Sequence, residues 1–170
     1  MLKQRKPNRL RNYDYSQGGY YFVTICTQGR IEFFGTIQDG VIVLNENGVI
    51  AEKQWMWLGK QYSYVVLDSY TVMPNHFHGI IGINAGNGRD RSLQGIKSLS
   101  ELVGAFKTTS SKLIRISGDR HFRWQKSFYD HIIRDESSLN RIREYIINNP
   151  KQWNTDVENT KFMGSLSNLI

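Results

Sequence analysis

The stretch from residue 64 to residue 83 constrains the fold more than any other part of the sequence. Two runs rich in β-branched and aromatic residues, 64–73 and 76–83, are separated only by Pro74 and Asn75. Parallel strands need a much longer crossover, so the two runs are predicted to be antiparallel neighbours. We expect both to be central strands of a sheet.

The remaining elements follow from turn and capping signals. Residues 20–27 are predicted to be a strand, and Asp39-Gly40 within 33–44 indicates a hairpin with a type I′ turn. Helices are predicted over 47–62, from the capping box at 98–101 to about residue 116, and from Asp135 to Asn149, with a short strand over 129–134 before the last. This order predicts an α+β fold in which helices pack on an antiparallel sheet.

The two later helices carry apolar stripes at helical spacing. The stripe of the first is predicted to comprise Leu102, Val103, Phe106, Leu113 and Ile114, and that of the second Leu139, Ile142 and Ile146. Lys107, Ser111 and Arg115 recur on another face of the first helix, as a phosphate-binding stripe would, although a solvated charged face gives the same pattern.

Charge indicates the class of partner. The 170 residues carry a net charge of +7, and an anionic partner, most commonly nucleic acid, is typical of such a balance. The first 13 residues form a basic arm without any acidic residue, and a second basic segment spans 97–126. The candidate phosphate-binding residues are Arg5, Lys6, Arg9, Arg11, Lys107, Lys112, Arg115, Arg123 and Lys126.

The cellular compartment of the protein is predicted from its cysteine content and its apolar runs. A single cysteine, Cys26, permits no internal disulfide, and no apolar run is long enough to be a signal peptide core or a membrane span. We therefore expect a cytoplasmic protein without a membrane partner.

Two histidines are the first candidates for chemistry. His76 and His78 lie two residues apart on a predicted strand, so both imidazoles project from one face, where neutral imidazoles can bind a divalent metal. Two ordinary strand histidines would give the same pattern. Their position in the middle of the predicted sheet favours a role, because a buried polar pair needs a compensating partner.

Tyr145 and Asn149 are one turn apart on the last predicted helix and so lie on the same side of it. Tyr145 falls at the margin of the apolar stripe, where a packing tyrosine is equally consistent with the sequence. In the functional interpretation its phenolic oxygen is a nucleophile, and the Asn149 amide oxygen is a third metal ligand.

These residues resemble a known family. The run Met-Pro-Asn-His-Phe-His-Gly-Ile over 73–80 resembles the histidine-hydrophobic-histidine strand of the HUH endonucleases. More closely, it resembles the IS200-type single-tyrosine transposases and their relatives associated with repetitive extragenic palindromes (REPs). The runs 124–134 and 145–150, the latter Tyr-Ile-Ile-Asn-Asn-Pro, resemble the REP-associated branch. The resemblance covers roughly 15–153, which leaves an arm over 1–14 and a tail over 154–170.

The resemblance implies a ferredoxin-like core with the histidine pair on a central strand. It also implies that His76, His78 and Asn149 hold Mg²⁺ or Mn²⁺, with Asn148 as an alternative third ligand, and that Tyr145 attacks a phosphate of single-stranded or hairpin DNA. The products would be a 5′-phosphotyrosine and a free 3′-OH, which can later be rejoined. IS200-type relatives form dimers, so a homodimer is a further expectation.

Three other interpretations remain open at this stage. The chain is a hairpin-binding protein that no longer cuts, or a metal-dependent hydrolase in which water attacks, or a nuclease whose nucleophile is Tyr129. The intact set of His76, His78, Tyr145 and Asn149 speaks against the first. Tyr129 ranks below Tyr145 because it lies on a predicted strand without a candidate ligand one turn away.

Overall fold

The computed structural model describes residues 18–84 and 95–159. Several predictions fall outside these ranges: the basic arm with Arg5, Lys6, Arg9 and Arg11, most of the loop predicted over 84–96, and the end of the chain beyond residue 159. The structure does not test these, and they remain predictions.

The described residues contain each predicted strand and helix, with ends that differ by a few residues. In chain order the elements are β1 (Gly19–Cys26), β2 (Gly35–Gln38), β3 (Val41–Leu44), α1 (Glu46–Gln61), β4 (Val65–Met73), β5 (His76–Ile83), α2 (Leu99–Ser117), β6 (Tyr129–Ile133) and α3 (Glu136–Asn148). Short 3-10 helices cover Gln28–Arg30 and Asn149–Thr155. In these ranges we find no helix with the length and apolar character needed to cross a membrane.

Four strands form one antiparallel sheet in the order β4-β5-β1-β6. Together with α1 and α2, this sheet has the β-α-β-β-α-β order of a ferredoxin-like fold, so the predicted α+β class is confirmed. The prediction that 64–73 is a central strand is wrong. One side of β5 pairs with β4 and the other with β1, so within the described residues β4 is an edge strand. A break in its register between Leu67 and Tyr70 is also typical of an edge.

Every residue of β5 is buried, because helices cover both faces of the sheet. On one face the Phe77 ring packs against Trp55 of α1 and Phe106 of α2, with ring centroids 4.7 and 5.3 Å apart. On the other face Ile80 packs with Ile133 and with Ile146 of α3. Alternation along the strand therefore assigns His76 and His78 to the α3 face.

The two-residue hairpin and the α2 cap form as predicted. Asp39 and Gly40 have φ values of 50° and 74°, the left-handed values that a type I′ turn requires. At the start of α2 the side chain of Ser98 accepts from the Glu101 N–H, and the Glu101 carboxylate accepts from the Ser98 N–H. Both cap contacts satisfy N–H groups that a helix end otherwise leaves free.

The predicted apolar stripe of α2 is wrong at one residue. Leu113 is 39% exposed, whereas Phe106, Ser110 and Ile114 are buried. The buried stripe advances by four residues there, so Leu113 falls just outside it. Ser110 can be buried because its hydroxyl accepts a hydrogen bond of 3.0 Å from the indole N–H of Trp124.

Candidate active site

The two histidines of β5 form a buried pair on the α3 face. Their Nε2 atoms lie 3.0 Å apart, and the side chains are 0% (His76) and 3% (His78) exposed. Burial lowers the pKa of His78 to about 3 and holds the pKa of His76 well below its ordinary value. Both rings are therefore neutral at physiological pH, the state in which an imidazole binds a metal.

The outer nitrogen of each ring is held by a polar neighbour. Thr24 of β1 lies directly opposite His78, and its Oγ1 is 2.9 Å from Nδ1 of His78. The Oδ1 of Asn75 lies 2.8 Å from Nδ1 of His76. Such contacts fix the ring orientation and favour a lone pair on the inner nitrogen, as the neighbours of metal-binding histidines commonly do. Neither contact was predicted from the sequence: Thr24 belongs to no motif, and Asn75 belongs to the run 73–80 but was not assigned a role.

Tyr145 approaches the pair from α3. Its hydroxyl lies 3.5 Å from Nε2 of His78, the ring centroids are 5.4 Å apart, and the side chain is 42% exposed. Burial and the negative charge of Asp156 raise the pKa of the phenol, while the Asn149 amide acts in the opposite direction. The phenol is therefore protonated at neutral pH in this structure, and a phenolate would need additional stabilisation.

Asn149 is the first residue of the 3-10 helix that follows α3. Its side chain is 2% exposed and lies close enough to influence the pKa of His76, Tyr145 and Asp156. Among the described residues its Oδ1 is buried without a hydrogen-bond partner. Asn148, the predicted alternative, is only partly buried.

A carboxylate that sequence reasoning missed completes this group. One ligand atom each from His76, His78 and Asp156 lie within 4.8 Å of one another, and all three residues are buried. Asp156 caps the end of the 3-10 helix, in the tail after residue 153 for which no helix or strand was predicted. We find no local pattern that would have identified it, because its contact with His76 joins residues far apart in the chain.

A cavity of about 380 Å³ opens beside the histidine pair. Its walls include His78, Tyr145, Phe22, Phe128 and Tyr129. Tyr129 is 61% exposed and lies opposite Thr24, which itself lies opposite His78, so all three side chains are on the same face of the sheet. The cavity therefore brings both candidate tyrosines to the histidine pair, but the hydroxyl contact with His78 belongs to Tyr145.

A second, basic concavity of about 340 Å³ lies on α2 and the segment that leads to β6. Four of the predicted phosphate-binding residues line it: Lys107, Arg115, Arg123 and Lys126. We call this surface the basic groove. Gln125 lines both the basic groove and the cavity, so the two concavities adjoin.

The predicted phosphate-binding residues of α2 are not equivalent. The Lys107 ammonium is half-buried and donates to the carbonyl oxygens of Gln125 and Lys126, at 2.5 and 3.1 Å. It therefore holds the segment beside the groove as well as contributing charge. Lys112 is exposed but does not line the groove.

Comparison with known proteins identifies one sequence relative and two structures with a similar fold. No family model matches the chain. An uncharacterized protein of Haemophilus influenzae is 33% identical over 167 residues, which span 91% of this chain and 93% of that protein, so the two belong to one family. A structure of a REP-associated tyrosine transposase bound to a REP hairpin aligns with a TM-score of 0.60 at 19% identity, over 85% of this chain and 73% of that one.

Because it aligns with that structure at a TM-score of 0.60, the chain has the fold of a REP-associated tyrosine transposase. A putative transposase of Deinococcus radiodurans aligns over 82% of this chain and 95% of its own, at 18% identity and with a TM-score of 0.45. Within its tyrosine transposase fold, this chain carries the histidine pair on the inner strand β5 and Tyr145 on the helix that covers that face.

Proposed function

We propose that this protein is a metal-dependent DNA nickase and strand transferase that cuts and rejoins single-stranded or hairpin DNA. The observation that carries the proposal is the 3.5 Å contact between the Tyr145 hydroxyl and Nε2 of His78, beside a buried neutral histidine pair and an open cavity. A scissile phosphate in that cavity would be within reach of both a nucleophile and candidate metal ligands, as phosphoryl transfer requires.

The proposed reaction is a direct displacement at phosphorus. The Tyr145 oxygen forms a bond to the scissile phosphorus and the bond to the 3′ oxygen breaks, which leaves a 5′-phosphotyrosine and a free 3′-OH. The phenol loses a proton and the 3′ oxygen gains one, so no net proton is consumed. Because one phosphodiester replaces another, a 3′-OH can later reverse the step without an energy source.

His76, His78 and Asn149 are the proposed holders of Mg²⁺ or Mn²⁺. The residues fit such an ion, because both imidazoles are neutral. The buried Asn149 Oδ1 has no hydrogen-bond partner among the described residues, and a bound ion would satisfy it. A bound divalent ion would supply positive charge against the negative charge that grows on the phosphate oxygens and the phenol oxygen. Thr24 and Asn75 would keep the two rings oriented toward it.

The basic groove supports DNA as the substrate. Arg115, Arg123 and Lys126 are exposed cations beside the cavity and can neutralise backbone phosphates on either side of the cleavage point. Phe22 and Tyr129 line the cavity and offer aromatic surfaces on which unpaired bases can stack. The similar transposase is bound to a REP hairpin, so hairpin DNA with single-stranded flanks is the proposed substrate class.

The central experiment separates tyrosine attack from the alternatives. Wild type, Tyr145→Phe and Tyr129→Phe are incubated with Mn²⁺ and a pool of labelled hairpin oligonucleotides with randomised single-stranded flanks, and the products are resolved on a denaturing gel. We expect a covalent protein–DNA band from wild type and Tyr129→Phe, but none from Tyr145→Phe, because that variant lacks only the attacking oxygen.

Each alternative gives a different pattern in the same gel. A hydrolase that uses water would cut without an adduct in all three proteins. A non-catalytic binder would retain the hairpins in a native gel yet cut none of them. An adduct that survives in Tyr145→Phe and disappears in Tyr129→Phe would transfer the nucleophile to Tyr129.

A further inference from the structure

The carboxylate of Asp156 has surroundings that ordinary packing does not explain. The residue is 8% exposed and its Oδ1 accepts from the Glu158 N–H at 2.8 Å. The Asn149 side chain lies close enough to lower the pKa of Asp156, but no hydrogen bond among the described residues reaches the buried Oδ2 of Asp156. This oxygen lies 3.8 Å from Nε2 of His76. A buried carboxylate oxygen without a partner is costly, so such an atom requires a reason.

Arg30 does not provide that reason. Its guanidinium forms an ion pair with the side chain of Glu158, two residues further along the chain. Its charge contributes to the field at Asp156, but the direct partner of Arg30 is the other carboxylate. The two acidic residues of this segment therefore have different partners: the partly buried Glu158 pairs with Arg30, and Asp156 faces the histidines.

The hydrogen bonds of Asn75 determine what His76 presents to Asp156. The Asn75 Nδ2 donates to the carbonyl oxygens of Arg30 and Glu158, at 3.1 and 2.7 Å. Both donors of the amide are then used, so its Oδ1 faces Nδ1 of His76 as an acceptor, and Nδ1 must carry the proton. The neutral ring therefore has its lone pair on Nε2, the atom nearest to Asp156 Oδ2.

Two acceptors thus face each other in a buried site. The Nε2 lone pair of His76 and the Asp156 carboxylate repel each other unless a positive charge lies between them. His78 Nε2 lies 3.0 Å from His76 Nε2, which adds a third ligand atom to the same small volume. A divalent cation satisfies all three atoms at once, whereas a hydrogen bond satisfies only one pair.

We infer that Asp156 is an anionic ligand of the metal ion that His76 and His78 hold. This inference deepens the proposed function, since it concerns the metal site of the same reaction. It adds a negatively charged donor to the two neutral imidazoles, which strengthens binding of a divalent cation. It also makes the segment after the tyrosine helix part of the centre, because Asp156 faces His76 directly and the Glu158 carbonyl accepts from the Asn75 amide that orients the same ring.

The test measures Mn²⁺ binding to the full-length protein by isothermal titration calorimetry, without DNA. In Asp156→Asn the new amide can still accept the Glu158 N–H bond, and its NH₂ can donate toward His76, so the fold should persist. We expect the Kd for Mn²⁺ to rise by about tenfold or more. Glu158→Gln is the matched control, because it removes a neighbouring carboxylate that faces Arg30, and its Kd should stay within about twofold of wild type.

Thermal unfolding separates a ligand from a structural carboxylate. In EDTA, Asp156→Asn should melt at or above the wild-type temperature, because the substitution removes an unpartnered buried charge. With Mn²⁺ the wild type should gain stability and Asp156→Asn should gain less, because the stabilisation rises with the logarithm of the free Mn²⁺ concentration divided by the Kd. If Asp156→Asn does not fold, Asp156→Ser replaces it, since its hydroxyl can also accept from the Glu158 N–H.

The outcomes are distinguishable. An unchanged Kd for Mn²⁺ in Asp156→Asn, with a weakened one in His78→Gln, overturns the role of Asp156 and leaves the histidine site intact. Equal binding by wild type and His78→Gln removes the metal site itself, and the metal dependence of the proposed function with it. If Asp156→Asn and Glu158→Gln weaken Mn²⁺ binding equally, the effect comes from the loss of any nearby negative charge, and the inference is also overturned.

Discussion

Acidification should destabilise the metal-free protein through the buried histidines. Burial lowers the pKa of His78 from 6.5 to about 3, against a weaker opposing effect of a hydrogen bond to the Val23 backbone. The folded state therefore keeps His78 neutral at pH 5, whereas the unfolded chain protonates it below about pH 6.5. The free energy of unfolding is therefore unaffected by this group above pH 6.5 and decreases as the pH falls from 6.5 toward 3.

The expected loss of unfolding free energy depends on how far the pH falls below 6.5, the unfolded-state pKa of histidine. Below pH 6.5 protonation of His78 stabilises the unfolded state by about 1.36 kcal/mol for each pH unit. Over the roughly 1.5 units down to pH 5, His78 alone therefore lowers the free energy of unfolding by about 2 kcal/mol. The lowered pKa of His76 acts in the same direction. The raised pKa of Asp156 acts in the opposite one, because the folded state takes up that proton first as the pH falls.

The assay is urea unfolding followed by tryptophan fluorescence, in EDTA, at pH 7 and pH 5. His78→Gln removes the titrating group and keeps a polar side chain near Thr24, so the difference between the two proteins isolates this contribution. We expect the wild type to lose about 2 kcal/mol more than His78→Gln on acidification. Equal losses in the two proteins would refute the argument that burial keeps His78 neutral.

Two further predictions concern packing and DNA binding. A Cβ at Gly79 would lie 2.5 Å from the ring of Trp55, so Gly79→Ala should lower the free energy of unfolding by about 1–3 kcal/mol in urea denaturation, and unchanged stability would contradict this packing. The double variant Arg123→Gln, Lys126→Gln should weaken hairpin binding and reduce the slope of log Kd against log salt by about 1.4–1.8, measured by fluorescence anisotropy. Lys53→Gln, an exposed lysine of α1 outside the basic groove, is its control, and an equal change in slope there would exclude the groove as the specific contact.

Local patterns in the sequence determined much of the fold. Alternation along residues 76–83 placed His76 and His78 on one face, because strand geometry repeats every two residues. The Ser98 capping box and the Asp39-Gly40 turn were equally readable, since each depends on contacts within a few residues. The spacing of Tyr145 and Asn149 is local in the same sense: α3 ends at Asn148, yet both residues lie beside the histidine pair.

Tertiary structure decided everything that joins distant parts of the chain. Strand order makes β4 an edge of the sheet in the part of the chain that the structure describes, and it sets Thr24 opposite His78, 54 residues away. No periodicity encodes either. The contact between Asp156 and His76 arises only because the chain turns back after α3, and it joins two residues with no shared motif. The sequence therefore determined that both histidines share one face of the sheet, because that depends on one strand. Which carboxylate meets them was decided by packing, because that depends on how several elements close around one site.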